Sequence, residues 1–220
     1  MRMMPLSVKS AIASAVLLLA ASAAHAELTT YTSQAAYLAA VGTTGVDDYD
    51  DLIVDSFETP IVRSAGAISY TASAGPESTL AYGASDDEVD FWFTTNNRRD
   101  TITFDQFSRN IAGAGGFFFG SDLFGFSTPA DSITITATDS TGASLTYTIS
   151  NPGLSSFVGF VSSANLTSLS FNVGDQPGVW PTVNDLHLSV AAVPEPETYG
   201  MMLGGLGILG FLARRRQRKG

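Results

Sequence analysis

The chain of 220 residues has no cysteine and only two lysines. Without cysteine it has no disulfide, no cysteine-ligated metal centre and no thiol nucleophile. The formal net charge of -10 argues against nucleic acid as a partner, because binding to phosphates needs clustered Lys and Arg side chains. Hydrophobic residues make up 45% of the chain, so we expect one packed domain rather than a disordered polymer.

The charges are distributed unevenly along the chain. Residues 27–193 hold 19 of the 21 acidic residues but only four of the 11 basic ones, which are Arg63, Arg98, Arg99 and Arg109. The other basic residues lie near the two ends of the sequence. An acidic central domain is therefore flanked by two segments of different chemistry.

Residues 1–26 have the three parts of a secretory signal peptide. A short basic start precedes an apolar run rich in Ala and Leu, and Ala24 and Ala26 then place small residues on either side of His25. We expect signal peptidase to cut after Ala26. The alternative is an uncleaved anchor or a first helix of the domain, which fits less well because the run is short and has no polar face.

The last segment, residues 193–220, combines a proline pair, an apolar run and a basic tail. Pro194 and Pro196 predict an extended linker over residues 193–198, since proline cannot occupy a helix interior. Residues 199–213 carry no charge, and as a helix of about 1.5 Å per residue they would span roughly 22 Å. That is short of the roughly 30 Å hydrocarbon core. Snorkelling arginines can cover part of the deficit, so we predict a transmembrane helix at 199–213 with residues 214–220 in the cytoplasm.

This arrangement resembles the PEP-CTERM protein-sorting signal. The sorting motif corresponds to Val193, Pro194, Glu195 and Pro196, and the basic stop signal to Arg214, Arg215, Arg216 and Arg218. The resemblance implies export across the inner membrane of a Gram-negative, exopolysaccharide-producing bacterium. It also implies recognition by exosortase, a membrane transpeptidase-like protease, and removal or exchange of the tail near the motif. The protein would then be transiently anchored in the inner membrane before reaching the cell surface or the exterior. The alternative is a plain single-span anchor.

Residues 27–192 are predicted to form the exported domain, an all-β antiparallel sandwich that begins with a short helix capped by Ser33 and extending through Ala40. Short segments of alternating polarity, separated by Gly, Pro, Asn and Asp, indicate about ten strands. The clearest alternation runs from Ser132 to Thr138, where Ile133, Ile135 and Ala137 should face inward. The predicted strands are Leu52–Phe57, Ala67–Ser73, Val89–Thr95, Thr101–Asp105, Gly115–Gly120, Ser132–Thr138, Leu145–Ser150, Phe157–Ser162, Leu166–Val173 and Asn184–Val190.

A phenylalanine-rich run extends from Gly116 to Phe126. It favours a buried central strand with a tight exit turn, because large apolar side chains are most often buried. An exposed binding platform is the alternative.

The domain also resembles, more loosely, the jelly rolls of carbohydrate-binding modules. The matching features are Asp55-Ser56-Phe57-Glu58, the Gly-Gly-Phe strand at Gly115, the segment 157–160 and the closing segment 183–186. The resemblance implies one structural calcium between the first and last strands, for which Asp55, Glu58 and Asp185 are the candidate ligands. The alternative for these acidic side chains is a solvated surface.

Catalysis is not expected. Once the signal peptide is removed, His187 is the one histidine left, and Asp185, His187 and Ser189 share a polar strand face. Successive members are roughly 7 Å apart along a strand, whereas a catalytic triad needs hydrogen bonds of about 3 Å. We therefore expect a solvated strand face.

The sequence predicts a non-catalytic surface or matrix protein associated with exopolysaccharide. The alternative is a calcium-stabilised carbohydrate-binding module in which Trp92 or Trp180 offers an aromatic face to the sugar. Both tryptophans are also compatible with ordinary packing. A polysaccharide hydrolase is the least favoured function, because no spacing singles out a pair of catalytic carboxylates.

Overall fold

A computed structural model describes residues 27–192, together with Gly205, Leu206 and Arg214. The predicted signal peptide, the sorting motif and nearly all of the predicted transmembrane helix lie outside the described residues. Within the described part, no helix is long and apolar enough to cross a membrane.

Residues 27–192 fold into antiparallel strands with one short helix, so the all-β prediction is confirmed. The helix, α1, spans Gln34–Ala40, and its prediction is also confirmed. The strands are β1 (Leu28–Tyr31), β2 (Thr44–Asp47), β3 (Ser56–Glu58), β4 (Ile61–Ala65), β5 (Ile68–Gly75), β6 (Leu80–Ala84), β7 (Trp92–Thr95), β8 (Thr101–Asp105), β9 (Ile111–Ser121), β10 (Ser127–Thr128), β11 (Ser132–Asp139), β12 (Ser144–Ser150), β13 (Phe157–Asn172) and β14 (Trp180–Ser189).

All of these strands belong to one connected sheet, whose main order is β3-β6-β7-β14-β9-β13-β8-β5-β4. Strand β2 pairs with β14, β1 and β11 pair with β13, β10 pairs with β9, and β12 pairs with β11. The two strands predicted at 157–162 and 166–173 are one continuous strand, β13. Its first half pairs with β1 and β9, and its second half pairs with β8 and β11. A single long strand therefore connects what the sequence suggested were two sheets.

The sheet folds over on itself and encloses an aromatic core. The rings of Phe93 in β7 and Phe104 in β8 are 6.1 Å apart, although these strands are not neighbours in the sheet. Phe118 and Phe171 approach to 4.9 Å between ring centroids, and both are fully buried. Edge-to-face packing of this kind adds roughly 0.5–1.5 kcal/mol per pair beyond the burial of apolar area.

Strand β11 shows how the period of two produces the two faces of the sheet. Ile133, Ile135 and Ala137 are fully buried, as predicted. The alternate threonines point outward and pair with β12, where Thr136 and Thr146 bring their hydroxyl oxygens to 2.9 Å. The pattern therefore buries the apolar side chains and leaves the hydroxyl groups on the outer face.

Two predicted strands begin later than the sequence indicates. Residues 52–55 form a loop, and β3 begins at Ser56. Strand β7 begins at Trp92 because Asp87 Oδ1 accepts hydrogen bonds from the backbone N–H groups of Val89 and Asp90. Side-chain acceptors of this kind compete with strand pairing and favour a turn.

Helix α1 packs over a glycine-lined part of the sheet. A Cβ added to Gly159 would lie 2.4 Å from the ring of Tyr37, and a Cβ added to Gly113 would lie 2.8 Å from the Tyr37 hydroxyl oxygen. Tyr37 is fully buried, and its hydroxyl lies 2.8 Å from Ser189 Oγ. The two glycines therefore leave the space that the ring occupies, which places α1 against β9, β13 and β14.

Candidate functional site

A pocket of about 240 Å³ opens beside the first residues of β14. Strands β6 and β7 form one wall, the loop before β3 forms another, and the loop after β9 closes the third side. Its lining residues are Val54, Asp55, Tyr82, Gly83, Ala84, Thr94, Thr95, Asn96, Asp122, Leu123, Phe124, Gly125 and Trp180. We call it the Trp180 pocket.

Trp180 is held in place by the start of β14. Its indole N–H donates to the backbone carbonyl of Asn96 at 3.1 Å, and its side chain stays half-buried. Beneath it, the buried hydroxyls of Thr94, Ser121 and Thr182 form a connected network, with Ser121 and Thr182 2.7 Å apart. Satisfied buried networks make a site rigid. The tryptophan is therefore presented by a fixed wall.

Trp92 has a different role from the predicted sugar platform. It is 2% exposed, its ring packs edge-to-face on Phe119 at 5.2 Å, and its indole N–H donates to the carbonyl of Gly125 at 3.0 Å. The ring presents no accessible face. Of the two predicted platforms, only Trp180 lines the pocket, while Trp92 anchors the loop that closes it.

That loop corrects the prediction of a buried exit from the phenylalanine-rich strand. Phe118 and Phe119 are buried as expected, but Leu123 is 71% and Phe124 74% exposed. Asp122 Oδ1 accepts hydrogen bonds from the backbone N–H groups of Phe124 and Phe126 at 2.8 and 3.1 Å. The aspartate therefore fixes a tight turn that directs Leu123 and Phe124 outward at the pocket rim.

The three predicted calcium ligands do not come together. Within residues 27–192, no group of three or more His, Asp or Glu side chains is placed to hold a metal ion. Asp55 lines the Trp180 pocket, and Glu58 accepts a hydrogen bond from the Thr79 hydroxyl at 3.3 Å. Calcium binding by Asp55, Glu58 and Asp185 stays a prediction.

Asp185 occupies a bulge in β14, where the pairing with β9 shifts register between Asn184 and His187. Its backbone has a positive φ of 50°. Partial burial raises the pKa of Asp185, and the nearby carboxylate of Asp90 acts in the same direction. Asn184 donates to Asp90 at 2.7 Å. Asp185 is thus a half-buried carboxylate that lies near a second one, Asp90.

The polar face of β14 is buried, which contradicts the expected solvated strand face. His187 is 3% exposed and Ser189 is fully buried, because α1 covers them. His187 Nδ1 donates to the Asp185 carbonyl at 2.6 Å, and the Gln34 amide lies 3.0 Å from Nε2. Ser189 Oγ contacts Tyr37 and Thr44. None of these contacts joins His187 to Ser189 or to the Asp185 carboxylate.

Sequence reasoning also missed an ion pair in the core. Arg63 donates from Nε and Nη2 to Asp47 at 2.8 and 2.7 Å, and from Nη2 to Asp51 at 2.6 Å. The Tyr70 hydroxyl donates to Asp47 at 2.7 Å, and the guanidinium lies 5.0 Å from the Tyr49 ring centroid. Burial opposes the charge on Arg63, but the hydrogen bonds with Asp47 and Asp51 outweigh it and raise the pKa of the guanidinium. Asp47 is thus a buried acidic residue whose charge is paired inside the domain.

The segment that follows β14 matches a known protein family. A family model described as the PEP-CTERM protein-sorting motif matches residues 192–217. The match includes the Pro-Glu-Pro sequence at 194–196, the apolar run and the first arginines of the tail. Residues 192–217 are a PEP-CTERM protein-sorting motif. No curated protein and no solved structure matches the chain.

The PEP-CTERM motif is the recognition signal of exosortase, and it marks an exported protein that passes through the membrane before processing. In the described domain, β14 ends at Ser189, three residues before the motif begins. The backbone N–H of Gly42 donates to Val190 O at 2.9 Å, so the chain is held against the domain up to this point. The motif therefore continues directly from β14, at the end of the strand opposite to Trp180.

Proposed function

We propose that this protein is a non-catalytic cell-surface or extracellular-matrix protein that is exported, processed by exosortase and associated with exopolysaccharide. The observation that carries the proposal is the PEP-CTERM motif at residues 192–217. The motif occurs together with a predicted signal peptide at the other end of the chain. The folded domain between these two segments is the part that is exported.

Two features of the domain support a role without catalysis. The histidine that could act as a base, His187, is enclosed by aromatic rings and by Gln34. Ser189 bonds to hydroxyl groups of α1 and β2 rather than to a base. Neither side chain faces the Trp180 pocket, so the pocket lacks the nucleophile and base pairing that hydrolysis by a serine enzyme needs.

Mass spectrometry of the protein from its native host tests this proposal. We expect a product that begins at Glu27 and ends near the Pro-Glu-Pro sequence. Replacing Pro194, Glu195 and Pro196 together by alanine should leave the full tail in place and hold the protein in the membrane fraction. Thr198→Ala, just beyond the motif, is the matched control and should be processed normally. An intact chain of 220 residues found in the cytosol would contradict the proposal.

A second candidate function is recognition of polysaccharide by a jelly-roll-like, calcium-stabilised domain. The observation that favours it is the Trp180 pocket, which combines an indole, a phenol and two carboxylates. A glycan array separates the two candidates, since a purely structural protein should give no signal. Adding EDTA to the purified protein tests the calcium part, because loss of a structural ion should lower the melting temperature.

A further inference from the structure

We propose that the Trp180 pocket binds a single sugar unit without negative charge, either neutral or amine-bearing, from an extracellular polysaccharide. This inference rests on the proposed export of the domain, since export brings the pocket into contact with such polymers. It assigns to the pocket Val54 and Asp122, which the sequence did not single out, together with Leu123 and Phe124 of the phenylalanine-rich run.

The rim of the pocket exposes large apolar side chains. On one side of the pocket, Val54 is 55% exposed. On the loop that closes the pocket, Leu123 is 71% and Phe124 74% exposed. Water contact with each such side chain costs roughly 25 cal/mol per Å² of apolar area. Clustered apolar side chains around a concavity mark a binding site, whereas single ones scattered over a surface do not. The rim therefore gains stability when a ligand with an apolar face covers it.

The rim is also held in its exposed position. Asp122 fixes the turn that carries Phe124, and the Trp92 indole holds the carbonyl of Gly125. At Gly125, where φ is +88°, an added Cβ would lie 2.6 Å from the Cβ of Ala84. The loop is thus packed tightly against β6, and Phe124 cannot turn inward without breaking these contacts. A binding surface that is fixed in advance loses less conformational entropy when a ligand arrives.

Two carboxylates supply the polar contacts. Asp55 Oδ1 accepts a hydrogen bond from the backbone N–H of Ser56 at 2.6 Å. Asp122 Oδ1 accepts one from the backbone N–H of Phe124 in the turn. Within residues 27–192 the second oxygen of each, Oδ2, has no hydrogen-bond partner. Sugar hydroxyls are donors that make short, charge-assisted bonds of about 2.5–2.7 Å to carboxylates. Each aspartate is therefore oriented by one oxygen and can accept from a ligand with the other.

The charge of the pocket selects among ligands. Its lining contains two aspartates and no Lys or Arg, so a phosphate or a uronic acid would be repelled. A purely hydrocarbon ligand would remove water from the carboxylates and offer them no donor. A sugar satisfies both requirements, because its C–H face covers aromatic rings while its hydroxyls donate. An amine-bearing sugar gains further attraction from the two negative charges.

The size and position of the pocket fit one sugar unit of a longer polymer. About 240 Å³ lies below the roughly 300–1,000 Å³ of pockets for drug-sized ligands. Trp180 begins β14 and Ser189 ends it near the PEP-CTERM motif. Ten residues of strand extend about 30 Å, so the pocket lies far from the tethered end of the domain. It therefore remains accessible to polymer while the tail is still in the membrane.

The test is affinity electrophoresis of the mature exported protein in gels containing one of three polysaccharides. Dextran is the neutral probe, chitosan the amine-bearing probe and alginate the anionic probe. We expect retardation by dextran or chitosan and none by alginate. Phe124→Ser should weaken retention at least tenfold, and because Phe124 is largely exposed, the change should not impair folding. Val62→Ser is the matched control, since Val62 is 73% exposed on β4, outside the pocket lining, and its binding should match that of the unmodified protein.

Asp55→Asn tests the role of charge. The asparagine oxygen can keep the bond to Ser56, so the loop should hold its shape. We expect this change to weaken chitosan binding more than dextran binding. No retardation by any probe, equal retardation by alginate, or an unchanged affinity in Phe124→Ser would each overturn the inference. Mass spectrometry of the tail on the same preparation separates the two proposals. Normal processing without sugar binding refutes the pocket alone, whereas an unprocessed tail refutes the proposed function.

Discussion

Arg63 and Asp47 form a two-point ion pair inside the domain, with Arg63 on β4 and Asp47 at the end of β2. Both side chains are less than 10% exposed. Strands β2 and β4 are not paired in the sheet, so the ion pair is a direct link between them. In a domain without disulfides, such a link fixes the position of the 47–58 segment, which leads into the wall of the Trp180 pocket.

Removing the arginine should therefore destabilise the fold. Arg63→Met leaves Asp47 buried with only Tyr70 as a side-chain donor, and breaking a buried pair in this way costs about 3–5 kcal/mol. Urea denaturation measures the change in the free energy of unfolding. The matched control is Arg99→Met, because Arg99 is 53% exposed and lies 3.7 Å from Glu77, and exposed pairs are worth about 1 kcal/mol or less. An equal loss in the two variants would contradict the assignment of Arg63 to the core.

The close packing of α1 on the sheet gives a second prediction. At Gly159 an added Cβ would overlap the Tyr37 ring, so Gly159→Ala must displace the helix. We expect a loss of about 1–3 kcal/mol, as for other overpacked cores. Gly153→Ala is the control, since nothing lies within 4 Å of its added Cβ. Thermal denaturation of both variants should show a lower melting temperature for Gly159→Ala alone.

The periodic parts of the fold were predictable from the sequence, and the parts that depend on distant contacts were not. Strand β8 was predicted with its observed bounds, because Ile102 and Phe104 alternate with polar residues over a full strand. Strands β2, β4 and β6 are short and mix Gly, Ala and charged residues, so their pattern is weak. The buried state of Asp47 depends on Arg63, sixteen residues away, which no local pattern reveals.

The candidate site was predictable only in part for the same reason. Trp180 was named from its residue type and its loop context, and it lines the pocket. Trp92 was named from its residue type although it lies in the predicted strand Val89–Thr95, and it is buried because Phe119 and Gly125 cover it. The exposure of Phe124 was left as an alternative, since the turn that directs it outward depends on the side chain of Asp122. Composition indicates which residues are able to bind, whereas tertiary contacts decide which are accessible.

His187 should make the free energy of unfolding depend on pH. Burial lowers its pKa below the ordinary value of 6.5, and the hydrogen bond to the Asp185 carbonyl and the Asp185 charge oppose this only in part. Since a carbonyl only accepts, Nδ1 carries the proton and Nε2 accepts from Gln34. Protonation of Nε2 would place its N–H group against the amide N–H group of Gln34. The unfolded chain therefore binds a proton more readily than the folded one, so this contribution is complete above about pH 6.5 and is lost as the pH falls below it.

We expect the stability difference between the unmodified protein and His187→Gln to decrease as the pH is lowered from about 8 to 5, because glutamine does not titrate in this range. Subtracting the variant removes the contributions of aspartates that do not interact with His187, such as Asp105, whose pKa is raised by burial. Urea denaturation at each pH gives the two curves. A difference that is constant over this range would show that the ring titrates normally in the folded state.

Trp92→Phe tests whether the buried indole holds the loop that carries Phe124. Phenylalanine keeps most of the packing against Phe119 but lacks the N–H that bonds to Gly125 O, and losing one such bond costs about 0.5–1.5 kcal/mol. The loop should therefore open more often while the domain stays folded. Chymotrypsin cuts after exposed phenylalanine, so we expect cleavage after Phe124 to become severalfold faster. Trp180→Phe removes the bond to Asn96 instead and should leave this cleavage rate unchanged. If both variants were cleaved at the rate of the unmodified protein, the turn set by Asp122 would be sufficient to hold the loop, and Trp92 would contribute packing alone.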